Sequence, residues 1–179
     1  MGTYKSTTEQ SSALIALLNA RLADTLDLLY QAKQAHWNVA GSDFFSLHEL
    51  FDKVAHELLE HVDEIAERVP QLGGEVEGTI RMASGRTSLP EYPRQLSGGA
   101  AHVEALSKAL AIAASSMRAA IDQSSELGDQ VTADIFTGAA RTIDKLDWMV
   151  RAHIEGRAAA RPEQAAPERK PEQAARPRH

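Results

Sequence analysis

Histidines and carboxylates crowd one stretch of this chain: His36, His48, Asp52, His56, Glu57, Glu60, His61, Asp63, Glu64 and Glu67. On a helix, Asp52 stands one turn beyond His48 and Glu67 one turn beyond Asp63, so the members of each pair share a face. Imidazole nitrogen and carboxylate oxygen without sulfur make a donor set for Fe(II), Mn(II) or Zn(II). The set has no soft ligand for Cu(I) and more nitrogen than magnesium or calcium favours. The competing reading is an ordinary solvated face of a charge-rich helix.

Geometry separates the two readings. Asp52 and Asp63 are eleven residues apart, close to three full turns, so both pairs fall along nearly one stripe. The rise between them is about 16.5 Å at 1.5 Å per residue, whereas a metal–ligand bond is only about 2 Å long. One straight helix cannot bring the pairs to a single ion. Two antiparallel copies can: about a two-fold axis near residues 57 and 58, His48 and Asp52 of one chain meet Asp63 and Glu67 of the other, giving two equal sites. His36 reaches the His48 end if the Val39–Ser42 turn folds its helix back. Glu67, with two oxygens, can bridge two ions. An intrachain di-iron centre built on Glu-x-x-His pairs is disfavoured, because no histidine has a glutamate three residues upstream.

The elements that must position these groups are helices. From Glu9 to about Val39, Leu14, Leu17, Leu18, Leu22, Leu26, Leu29 and Tyr30 recur with a helical period. Gly41 ends that helix and Ser42 or Asp43 can cap the next. The second helix carries Leu47, Leu50, Phe51, Val54, Leu58, Val62, Ile65 and Val69 to about Leu72, where Gly73 and Gly74 stop it. Residues 75–92 form a long crossover with a short helix around Thr79 to Ala83. A third helix spans roughly 94–125, through Leu106, Leu110, Met117 and Ile121. A fourth runs from about Thr132 to His153, through Ile135, Phe136, Ile143, Leu146 and Met149. The expectation is an all-α four-helix bundle over residues 9–156, with a flexible arm at 1–8 and a disordered tail at 157–179. The tail repeats PEQAA at 162–166 and 171–175 and holds four prolines between 162 and 177.

Composition narrows the function classes. The chain has 179 residues, 43% of them hydrophobic and 25% charged, which excludes a wholly disordered protein. It has no cysteine, so thiol catalysis, zinc–thiolate sites and iron–sulfur clusters are excluded. No apolar run reaches the ~18 residues of a membrane span, and no secretory signal opens the sequence, so the cytoplasm is the expected location. The net charge of -6 is uneven. The tail holds Arg157, Arg161, Arg169, Lys170, Arg176 and Arg178 against three glutamates, so the remainder is strongly acidic and repels phosphate.

The runs KQAHWNVAG at 33–41, LHELFD at 47–52 and HVDEIAER at 61–68, with TADIFT at 132–137 and DKLDW at 144–148, resemble the Dps family, the mini-ferritins. The resemblance covers about residues 8–155. It implies a ferritin-like four-helix bundle, with a short helix in the middle crossover, that assembles as a hollow homododecamer. It implies a ferroxidase that oxidises Fe(II) with hydrogen peroxide, and more slowly with oxygen, at intersubunit sites of two ions each. Ferric mineral is stored inside and DNA is protected from oxidation. His36, His48, Asp52, Asp63 and Glu67 match the family's ligands, with Zn or Mn as possible substitutes for iron. Trp37 matches a tryptophan near the metal, although a packed helix-end aromatic is an equal reading. Family members line three-fold pores with acids near the start of the last helix. Asp134 is therefore the first pore candidate, then Asp129 and Glu126, with helix N-terminal carboxylates as the alternative for each.

DNA binding in the family usually rests on basic termini. Here the arm has only Lys5 among residues 1–12, so the six basic tail residues are the candidates, with twelve copies acting through avidity. The alternative function is mainly a non-specific DNA-binding nucleoid protein with secondary ferroxidase activity. A discrete dimeric bundle using manganese or iron for other oxygen chemistry is a third reading. His56, Glu57, Glu60 and His61 are expected at the interface or on solvated surface, His102 as a structural residue, and Trp148 in packing.

Overall fold

The computed structural model describes residues 8–159, with side chains to residue 153. Five helices follow in order: α1 (Thr8–Asn38), α2 (Phe44–Gln71), α3 (Ile80–Arg86), α4 (Gly99–Glu126) and α5 (Gln130–Ala159). The four long helices form a closed ring of neighbours. α1 touches α2 and α4, α5 touches the same two, and α3 lies on α1. No strand occurs among the described residues. The apolar stripes of the long helices meet in one core, with Leu18, Phe51, Leu58, Leu110, Met117 and Phe136 fully buried. Removing that surface from water at roughly 25 cal/mol per Å² drives the assembly of the bundle.

The crossover is strapped along α1 by three buried polar residues. Asn19 donates to the Glu75 carbonyl and accepts from the Glu77 amide. Asp24 accepts from the backbone and hydroxyl of Ser88, and Gln31 donates to the Pro90 carbonyl. An irregular segment buried against a helix must have its backbone groups satisfied, and these side chains do so. They sit among the apolar positions of α1, whose buried face continues past Tyr30 through Ala32 and Ala35. Tyr30, expected on the apolar face, is 47% exposed.

Element ends differ from the sequence expectation in explicable places. α3 begins one residue later and extends to Arg86, with the Thr79 hydroxyl accepting from the Met82 amide as its cap. α4 starts at Gly99 rather than near 94, because Gln95 and Gly98 adopt positive φ. A Cβ on Gly99 would collide with Leu47, so the small residue lets α4 begin directly against the start of α2. α5 reaches Ala159, which places the backbone of Arg157 inside the helix rather than in a tail. Residues 1–7, and the tail candidates Arg161, Arg169, Lys170, Arg176 and Arg178, lie outside the described residues. No described helix is long and apolar enough to cross a membrane.

Candidate metal centre

His36 ends α1 and His48 opens the second turn of α2. The loop between them turns through Gly41, whose φ of 109° a side chain would strain. The two rings then stack, with centroids 3.7 Å apart. Each imidazole is fixed by the other's backbone: His36 Nδ1 is 2.8 Å from the His48 carbonyl, and His48 Nδ1 is 3.0 Å from the His36 carbonyl. A carbonyl only accepts, so each Nδ1 carries the proton. In the neutral ring that assigns the lone pair of both residues to Nε2, the nitrogen left for a metal.

Asp52 stands on α2 one turn beyond His48, with its carboxylate exposed. Lys33, three residues before His36, places Nζ 2.6 Å from it. That hydrogen bond holds the Asp52 carboxyl below the ordinary carboxylate range; burial opposes it slightly, and the charges of Lys33, His36 and His48 add to it. The same ammonium lies 5.8 Å from the centre of the Trp37 ring. Trp37 is 62% exposed, so the packed-aromatic reading does not hold within the chain.

Asp63 and Glu67 are exposed on α2 and make no ion pair or side-chain hydrogen bond among the described residues. Leu59, half exposed, lies between the two pairs. Among the described residues, no three histidine or carboxylate side chains are placed to hold a metal ion. The chain therefore brings His36 and His48 together, sets Asp52 beside them under the hold of Lys33, and leaves Asp63 and Glu67 at the far end of the helix.

The remaining acids and histidines sort themselves by partner. His61, expected at an interface or on the surface, is buried instead and bridges helices. Nδ1 is 2.8 Å from Glu64 Oε2, and Nε2 is 2.8 Å from the Thr142 hydroxyl on α5. Glu57 pairs with Lys53 at 2.7 Å and with Lys145 on α5 at 3.2 Å, and both lower its pKa against the opposing effect of burial. Asp129 is buried and caps α5: it accepts from the amides of Val131 and Thr132, and it takes Arg68 Nη2 on both oxygens. Burial pushes its carboxyl up, but Thr132 and Arg68 outweigh that and lower it. With both oxygens engaged inside the chain, Asp129 is removed from the pore candidates. Asp134 and Glu126 are exposed near the α4–α5 corner.

His102, expected as a structural residue, is buried in α4 with its Nδ1 2.8 Å from the Tyr92 hydroxyl. One further correction concerns α5. Trp148 is 64% exposed rather than packed. Sequence reasoning also missed Lys33 and Arg68. Lys33 carried a signal, since it lies one turn before His36 on the face that turns toward α2. Arg68 carried none, because its partner is 61 residues away in the chain.

A family described as ferritin, ferritin-like domain, matches residues 15–158. A DNA protection during starvation protein of Agrobacterium fabrum is 44% identical over 144 residues, which cover 80% of this chain and 89% of that one. Among solved structures, DpsA14 of Streptomyces coelicolor superposes with a TM-score of 0.80 at 30% identity, covering 84% of this chain and 89% of that one. DpsC of the same organism gives a TM-score of 0.80 at 31% identity over 86% and 90%.

Proposed function

The chain belongs to the Dps family of ferritin-like proteins, and from that membership we propose that it oxidises Fe(II) with hydrogen peroxide at sites shared between two copies and stores the ferric product within a hollow homododecamer. Dps-type ferroxidase and iron-storage function follows from homology. The finer reading rests on one observation: the reciprocal His36–His48 lock commits both Nδ1 atoms to carbonyls and leaves two Nε2 lone pairs beside Asp52.

Iron is the substrate here. Nε2 of His36 and His48 supplies nitrogen to one ion, and Asp52 leaves Lys33 to supply oxygen. Asp63 and Glu67 of a second copy complete the site, with a Glu67 oxygen for each of two ions. The spacing of about 16.5 Å along α2 supports the two-copy arrangement, because neither pair alone offers enough ligands. Carboxylates favour Fe(III) over Fe(II), so metal bound there is easier to oxidise. Two Fe(II) ions each lose one electron, and the peroxide O–O bond takes both and breaks to two hydroxides. Trp37, adjacent to His36, is a candidate to quench stray oxidant. A crystal soaked with metal tests the arrangement: the ion is expected between His48 and Asp63 of different chains, and an ion held by one chain alone would refute it.

Asp134, followed by Glu126, is the proposed acidic lining through which cations reach the interior. Replacing Asp134 with Asn should slow mineral growth severalfold while leaving the first metal-binding step unchanged. An unaltered uptake rate would remove it. We place the protein in the cytoplasm. A second reading, a DNA-binding nucleoid protein with secondary ferroxidase activity, draws on the six basic residues from Arg157 onward and on the name of the Agrobacterium relative.

A further inference from the structure

Tyr92 and His102 form a pair that the iron chemistry leaves unused. Tyr92 lies in the crossover and packs partly against the core, whereas His102 sits in the first turn of α4 and is 2% exposed. The phenol oxygen is 2.8 Å from His102 Nδ1, and the rings lie within 21° of parallel. That imidazole nitrogen is the hydroxyl's hydrogen-bond partner, and with the ring protonated at Nε2 the phenol donates to the Nδ1 lone pair.

We propose that Tyr92 is a redox-active phenol that traps one-electron oxidants derived from peroxide, with His102 as the acceptor of its proton. An oxidised phenol is a strong acid, and its oxidation is easy only where a base stands ready. Burial lowers the pKa of His102, against an opposing effect of the Asn38 backbone, and so keeps the ring neutral and able to accept. Burial raises the pKa of Tyr92, so the phenol keeps the proton it must give. Tyr30, by contrast, is 47% exposed.

The step balances. A hydroxyl radical, formed when one Fe(II) reduces peroxide, takes one electron from Tyr92 and becomes hydroxide. The phenol O–H bond breaks, the proton crosses to Nδ1, and a neutral phenoxyl radical remains beside an imidazolium. The positive end of α4 disfavours that imidazolium, so the proton returns when a second Fe(II) supplies an electron and becomes Fe(III). Asn38, whose backbone opposes the lowering of the His102 pKa, stands two residues beyond His36 in the chain.

The inference takes only the source of its oxidant from the proposed iron chemistry, and the test separates the two. The variant Tyr4→Phe/Tyr30→Phe leaves Tyr92 as the sole tyrosine. Freeze-quenched after Fe(II) and peroxide, it should show a tyrosyl electron paramagnetic resonance signal. Tyr92→Phe should abolish that signal, and His102→Gln should reduce it at least fivefold. In heavy water the signal of the His102-containing protein should rise at least twofold more slowly, a readout that stands even if His102→Gln fails to fold. Iron-free protein given a light-driven one-electron oxidant should yield the same radical whether or not the chain oxidises iron. No radical under light, equal yield in His102→Gln, or no isotope effect would overturn the pair. A radical under light but none with Fe(II) and peroxide would overturn the assigned oxidant.

Discussion

Lys33 is the residue on which the readiness of the site turns. Its ammonium sits 2.6 Å from the carboxylate proposed as a metal ligand, so in that proposal iron and lysine compete for Asp52. The pair is exposed on the Asp52 side, and exposed pairs contribute little. Replacing Lys33 with Met keeps the aliphatic stem beside Trp37 and removes the competitor. Calorimetric titration with Zn(II) should then show binding roughly two- to fivefold tighter, from the ~0.2–1 kcal/mol typical of such pairs. Weaker binding would mean that Lys33 orients Asp52 rather than blocking it. The histidines behave differently, because their orientation comes from backbone carbonyls on the partner helix and not from a charge.

At the scale of elements, α2 is tied by polar links to α5 and to its cap. His61 reaches Thr142, and Arg68 reaches Asp129, the residue that caps α5. Asp129→Ala removes the cap and leaves the Arg68 guanidinium, 15% exposed, without its carboxylate. The loss of a buried partner costs roughly 3 kcal/mol, which should lower the melting temperature by several degrees at neutral pH. The sign with pH follows from the lowered carboxyl pKa: the stabilisation is present above the usual value of 3.8 and is lost as pH falls through the depressed one. The difference between wild type and variant should therefore shrink on acidification, as read by thermal melts across that range. A constant difference would assign the effect to packing.

At the scale of the whole molecule, the exposed apolar residues call for assembly. Leu59 lies midway along the α2 stripe, where two antiparallel copies would cross. Leu59→Glu would bring two like charges together at that axis, and it should drop the native mass from the ~233 kDa of the proposed dodecamer, twelve chains of 19.4 kDa, toward smaller species. Ferroxidase rate should fall with it, while the helical content stays unchanged. An intact cage with a normal rate would place the axis elsewhere. The proposed DNA binding belongs to this scale too, since the five basic residues beyond Ala159 in a single chain make a weak anchor. Truncation after Ala159, where α5 ends, should abolish a low-salt gel shift. An equal shift from the truncated protein would exclude residues beyond 159 as the anchor.

Periodicity alone determined the four long helices and the existence of a long middle link, because a buried stripe repeats every turn whatever it packs against. Spacing alone also established that the His48–Asp52 and Asp63–Glu67 pairs could not meet within one helix. What only the tertiary structure decided were contacts between residues distant in the chain. Asp129 reads in sequence as either a pore acid or a helix N-terminal carboxylate, and the structure makes it a buried cap held by Arg68; His61 reads as interface or surface and bridges two helices; His102 reads as structural, but its partner Tyr92 is not legible. A helical repeat specifies which face is apolar but not which polar side chain will find a partner across it. That pairing depends on how far two helices are rotated and shifted against each other, and it is set by the packing of the whole core.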